Sequence, residues 1–216
     1  MNKLRLKKRV LIMILPLLSL AVFAQEKPKS KLAYSGFSGG MMVHTGFVQS
    51  GEFSLKNDDG TLAKTMRFSG AAFGIGGQAR VHLGKHLRVG TEGYVSDYFY
   101  ENKSYTSLGW GGLLADCAWE IKRFTLFAGG TFGGGAQKNL TILKKPADGY
   151  EGFDLDDKIS YRKYSFLCAV PFAGAEFALT KKIHLVLKVD YIFNISNPQP
   201  DFNTGTRIYF GFSFCR

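Results

Sequence analysis

The sequence predicts an all-β fold, a single eight-stranded antiparallel up-and-down transmembrane β-barrel. Three observations predict it. Apolar and polar residues alternate with period 2 along most of the chain, as in strands whose two faces meet different surroundings. Composition agrees: 26 Gly, 19 Phe and 10 Tyr weaken helices and favour strands. Connections between the alternating segments are short and long by turns, the pattern of a meander with tight turns on one rim and loops on the other.

The first 24 residues are a separate object. Lys3, Arg5, Lys7, Lys8 and Arg9 precede an apolar run from Val10 to Ala21, and Val22 and Ala24 suit a small-residue cleavage site. This reads as a secretory signal peptide over 1–24, cleaved before Gln25. The run is too short for a membrane anchor, which needs about 20 residues. A polar tether over 25–33 follows, then the barrel domain over 34–216. Five of the 28 basic residues leave with the signal, so 23 face 17 acidic residues and the net charge falls from +11 to +6. A mild charge on an exported chain excludes a nucleic-acid role. Cys117, Cys168 and Cys215 are odd in number and far apart, which argues against a disulfide scaffold and for small apolar or interior fillers.

Strands are expected near 36–49, 67–83, 86–100, 105–121, 123–137, 161–179, 183–195 and 205–216. In 183–194 the odd positions Ile183, Leu185, Leu187, Val189, Tyr191 and Phe193 are all apolar, and the even ones are mostly polar. In 69–83, Ala71, Phe73, Ile75, Ala79, Val81 and Leu83 share one face and Gly70, Gly74, Gly76, Gln78, Arg80 and His82 the other. Leu87, Val89 and Val95 continue that apolar face after a turn at Gly84-Lys85, with Arg88, Glu92 and Tyr94 opposite. The last segment sets Ile208, Phe210, Phe212 and Phe214 on one side. Tight turns fall near 84–85, 122 and 180–182; long polar links fall at 50–66 and 138–160. Pro171 inside a strand marks an edge or a bulge.

Within the second strand, 74–79 reads GIGGQA, a literal G-x-G-x-x-A. A dinucleotide turn would need a helix next and an acid about 20 residues on. Residues 80–95 continue as a hairpin, so Gly74 and Gly76 are instead expected to face a tight lumen.

Alternation alone leaves open which face is outside. A polar face rich in Gly suits a narrow lumen better than a soluble exterior. Aromatics gather near strand ends: Phe47, Tyr98, Phe99, Tyr100, Tyr105, Trp110, Tyr191 and Phe193 toward one rim, Trp119, Phe124 and Phe177 toward the other. Such belts fit membrane interfaces. With the signal peptide, the meander, the segment VPFAGAEFAL and the closing RIYFGFSFCR, the chain resembles the small outer-membrane β-barrels of Gram-negative bacteria, the eight-stranded OmpA/OmpX-like family. The ending Phe214-Cys215-Arg216 departs from that family's usual final aromatic. The resemblance implies the cell outer membrane, with its lipids, lipopolysaccharide and barrel-assembly machinery as partners.

The lumen is expected to hold Arg80, Arg88, Glu92, Asp116, Glu120, Glu176, Lys188, Asp190 and Arg207. Buried charges must pair, so these read as a structural plug rather than an ion conduit. Some small outer-membrane barrels modify lipid A with a His and a Ser. Here His82, His86 and His184 flank the short turns, His44 points inward, and no Ser/His/Asp set stands out. Asp154, Asp156 and Asp157 lack a full calcium-loop pattern. The sequons at Asn102, Asn139 and Asn194 read as chance. No catalytic, cofactor or metal site is expected. The expected role is structural or interactive, with protein contacts through loops 50–66 and 138–160. An accessory subunit of a secretion or transport machine and a lipid-modifying enzyme are the alternatives, followed by a soluble periplasmic binding barrel.

Overall fold

The computed structural model describes residues 32–56, 62–100, 104–142 and 159–216. The signal peptide, residues 25–31 of the tether, Asn102 and the Asp154–Asp157 run lie outside the described residues. Eleven strands follow in chain order: β1 Tyr34–Gln49, β2 Phe53–Lys56, β3 Leu62–Met66, β4 Ser69–Leu83, β5 Leu87–Phe99, β6 Tyr105–Ile121, β7 Phe124–Ile142, β8 Ile159–Ala178, β9 Ile183–Tyr191, β10 Phe193–Asn194 and β11 Thr204–Cys215.

The main sheet runs β10-β8-β7-β6-β5-β4-β1-β11-β9, and pairing of β8 with β9 closes it into a ring. Every pairing is antiparallel. Counting β9 and β10 as one interrupted strand, the described residues form the expected eight-stranded meander. Closure leaves no unpaired edge, which a sheet surrounded by lipid requires.

The interruption at Ile192 has a cause in the neighbouring strand. Phe172 pairs with Asp190 and Ala169 with Phe193, so Pro171, which has no N–H to give, lies beside the break. Pro171 is therefore neither at an edge nor in a bulge; it sits in an interior strand that breaks its neighbour.

Period 2 becomes an inside and an outside. Phe73, Ile75, Leu113, Phe132, Phe210 and Phe212 are exposed around the girth, while Arg80, Lys188, Arg207 and Tyr209 are buried. This inverts a soluble protein and is the arrangement lipid demands. The turns that join β4 to β5, β6 to β7 and β8 to β9 are short. The two-residue turn Lys122-Arg123 holds Lys122 at φ 58°.

Four expectations change. Link 50–66 contains the hairpin β2–β3, whose Phe53 and Leu55 pack with Phe68 against Met66, Tyr98 and Tyr100. β7 runs on to Ile142 and β8 starts at Ile159, so both ends of the expected 138–160 loop are strand. Tyr98 and Tyr100 stack in that hairpin cluster, and Trp110 is buried in the lumen, so all three leave the aromatic belt. Phe47, Phe99 and Phe193 on one rim and Trp119 and Phe124 on the other are exposed as expected. Cys117 is exposed on the outer face rather than an interior filler; Cys168 is buried, Cys215 is half-buried, and all three are free.

Candidate functional site

The lumen is built in polar layers, each fixed by strand parity and register. The layer nearest the short turns holds two arginines and two acids. Arg88 and Asp116 face each other across β5 and β6, and Arg88 Nε donates to Asp116 Oδ1 at 2.6 Å. Arg80 Nη1 donates to Asp116 Oδ2 at 3.0 Å, and Arg80 Nη2 crosses the lumen to Glu176 Oε1 at 2.6 Å. Arg88 Nη1 reaches the same Glu176 oxygen at 2.8 Å. Both guanidinium carbons lie over the Phe127 ring, 5.4 and 5.0 Å from its centre, which adds cation–π attraction. Charge within the quartet cancels.

One step up, Lys188 Nζ donates to Glu92 Oε2 at 2.6 Å, and Thr131 Oγ1 donates to Glu92 Oε1 at 2.6 Å. The ammonium lies 4.6 to 4.9 Å from the ring centres of Tyr94, Phe172 and Tyr209. Nearer the long loops, Arg207 and Asp190 face each other across β11 and β9 and pair through Nε and Oδ1 at 2.8 Å. Arg207 also lies over Trp110, 5.2 Å from the ring centre. His44 sits here against Tyr209, with ring centres 4.7 Å apart. Neither nitrogen of His44, nor Nη1 or Nη2 of Arg207, has a hydrogen-bond partner among the described residues. Native interiors meet such groups with ordered water.

Eight of the nine predicted lumen charges are thus buried and ion-paired. Glu120 is the exception: it has the inward parity but lies exposed at the end of β6, beyond the quartet.

On the long-loop side a segment that carried no periodic signal is bonded to the inner faces of β6 and β7. Asp201, Phe202 and Asn203 are buried. Asn139 Nδ2 donates to Asp201 Oδ2 at 2.6 Å and Gln137 Nε2 to the Asp201 carbonyl at 2.7 Å. Asn203 Nδ2 donates to Thr106 Oγ1 at 2.9 Å, and Thr106 in turn donates to Asn139 Oδ1. Phe202 packs edge-on to Phe166 at 4.9 Å. Arg162 clasps Asp201 from the solvent side at 3.1 Å. Asn139 is therefore a buried latch residue rather than an accessible sequon. Asp201→Ala is expected to cost about 1–3 kcal/mol, because Asn139 loses its acceptor inside the barrel. Limited proteolysis of intact vesicles should then cut at 196–203, where the parent resists; equal resistance would deny the latch.

Two His contacts invite a catalytic reading. Ser38 Oγ and His82 Nε2 lie 2.8 Å apart, but His82 has no carboxylate partner among the described residues to complete a relay. Cys215 Sγ lies 3.6 Å and Glu176 Oε2 3.5 Å from His184, both at Nδ1. A relay needs the acid and the nucleophile on different ring nitrogens. His44 lies inside the barrel, away from lipid. No group of three or more His, Cys, Asp or Glu that could hold a metal occurs among the described residues.

Neisserial surface protein A superposes with a TM-score of 0.58 at 11% identity, covering 84% of this chain and 98% of that one. The chain has the fold of the small outer-membrane β-barrels. At that identity the likeness is one of fold. The outer-membrane protein OprG from Pseudomonas aeruginosa aligns at 11% identity over 86% of this barrel and 98% of its own length, TM-score 0.49. Ail of Yersinia pestis, solved with the heparin analogue sucrose octasulfate, aligns at 12% over 84% and 99%, TM-score 0.48. No protein-family description and no curated protein matches the barrel.

Proposed function

We propose that this chain is a closed barrel of the bacterial outer membrane, a non-catalytic anchor that presents its long loops for protein contact. One observation carries the reading: buried charges pair in successive layers along the lumen, the Arg80–Asp116–Arg88–Glu176 quartet, then Glu92–Lys188, then Asp190–Arg207, then the Asp201 latch. An eight-strand barrel is only wide enough for side chains, and each of these buried charges has an opposite charge within hydrogen-bond reach. The hairpin β2–β3 supports the contact role, because its Phe53, Leu55 and Phe68 core orders a loop that would otherwise have to be fixed at the moment of binding. An accessory subunit of a larger assembly would use the same surface.

The protein in planar bilayers should insert without conducting, and a photo-crosslinker at exposed Glu52 should trap a protein neighbour in intact cells. Discrete single-channel steps would overturn the closed barrel, and a lone monomer after crosslinking would overturn the contact role.

A further inference from the structure

The rim at the short turns carries charge of one sign. The turns at 84–86, 122–123 and 179–182 hold Lys85, Lys122, Arg123, Lys181 and Lys182 and no acid. The connections at 50–68, 100–104, 143–158 and 195–203 hold ten acidic residues against seven basic, net −3. The barrel is electrically polar along its axis.

Each turn of this basic arc is anchored by a backbone hydrogen bond to a neighbouring strand: Ala118 N donates to His86 O at 2.8 Å, Ala178 N to Arg123 O at 2.8 Å and Cys215 N to Lys182 O at 2.8 Å. Arg123 is engaged with the carbonyls of Ala178 and Leu179 at 3.1 to 3.3 Å. Lys85, Lys122, Lys181 and Lys182 are exposed and take no ion-pair partner among the described residues. Glu120, whose parity turns it toward the lumen mouth, is the acid sharing this rim. Just above the lysines the outer face is apolar, with Trp119, Ile121, Phe124 and Leu179 exposed. Lysines in that position lay their stems along apolar surface and lift the ammonium into the headgroup layer.

We propose that this ring binds the anionic headgroups of phospholipids in the leaflet that faces the short turns. The inference rests on the barrel spanning a bilayer. Four ammoniums without an ion-pair partner among the described residues stand on these turns, next to the exposed apolar band. A lysine near an anionic membrane surface favours association about fivefold. The opposite rim, acidic in its loops, repels the same headgroups, so the attraction is one-sided and selects one leaflet.

Trp119 reports on the outcome. Of the two tryptophans, Trp110 is buried in the lumen, whereas Trp119 is 47% exposed on the outer face. Its ring centre lies 6.4 Å from that of His86, in the turn that carries Lys85. The signal-free chain is refolded into phosphatidylcholine vesicles containing equal fractions of either dibrominated phosphatidylglycerol or dibrominated phosphatidylcholine. The anionic lipid should quench Trp119 more strongly, with an apparent preference of about fivefold or more. That preference should fall to near parity in molar salt, where the Debye length is about 3 Å. It should also fall in the variant carrying Lys85→Gln, Lys122→Gln, Lys181→Gln and Lys182→Gln, whose folding is checked by heat-modifiable gel mobility. Equal quenching by both lipids in the parent at low salt, or a preference that survives the four substitutions, overturns the ring. Quenching by neither lipid takes Trp119 out of the bilayer and removes the barrel reading together with the ring.

Discussion

Arg80→Met is expected to lower the free energy of unfolding by about 3–5 kcal/mol, the cost of leaving a buried charge without its partner. Arg80 is fully buried and holds two acids at once, Asp116 at 3.0 Å and Glu176 at 2.6 Å. Without it, two carboxylates share one guanidinium, that of Arg88. Met keeps much of the volume over Phe127, so the loss is one of charge rather than of packing. The companion variant Arg80→Met/Glu176→Leu removes one cation and one anion and leaves Arg88 and Asp116 paired at 2.6 Å. It should be less destabilised than the two single changes added together, by about 0.5–3 kcal/mol of coupling. Urea unfolding in lipid vesicles, followed by gel mobility, gives both numbers. If Arg80→Met alone costs less than about 1 kcal/mol, the carboxylates have found water and the lumen is a hydrated conduit instead of a plug.

Which residues line the lumen was readable from the sequence, because parity is local and a strand has only two faces. Eight of nine lumen charges follow from it. Glu120 shows the limit: parity assigns a face but not a depth, and Glu120 lies where the strand leaves the barrel. Trp110 and Tyr98 mark the opposite error. Both carry inward parity, and parity rather than nearness to a strand end decides their place. Partners divide in the same way. Arg88–Asp116 and Asp190–Arg207 are cross-strand neighbours that follow once register is known. Arg80–Glu176 and Glu92–Lys188 span the lumen and depend on how the sheet tilts as it closes. The Asp201 latch is invisible to periodicity, since its segment has none and its contacts lie 36 to 97 residues away. Residues 138–142 were hidden for a related reason: with Lys138 outside and Gln137 and Asn139 inside, both faces are polar and the alternation has no contrast.

Glycine supplies the sharpest test of inside against outside, since one residue type occurs on both faces of adjacent strands. Gly74, in the GIGGQA run, faces inward. A Cβ there would stand 1.9 Å from the Val95 carbonyl oxygen and 2.2 Å from His44 Cε1. Gly76 likewise makes room for Tyr94, whose Cδ1 would be 2.3 Å from a Cβ. These glycines let the sheet curl tightly over large inward rings, the close approach for which a strand accepts glycine. Gly74→Ala must therefore push back the main chain as well as the His44 ring, and is expected to destabilise by about 1–3 kcal/mol. Gly93, on the partner strand, faces outward. A Cβ there meets nothing nearer than the Trp110 carbonyl oxygen at 3.4 Å and Gly111 Cα at 3.7 Å. Gly93→Ala gains about 0.5–1 kcal/mol from lost chain entropy in the unfolded state. Opposite signs, read from vesicle unfolding under identical conditions, are the expected result. A Gly93→Ala penalty as large as that of Gly74→Ala would mean that a partner, and not lipid, packs against the β5–β6 face.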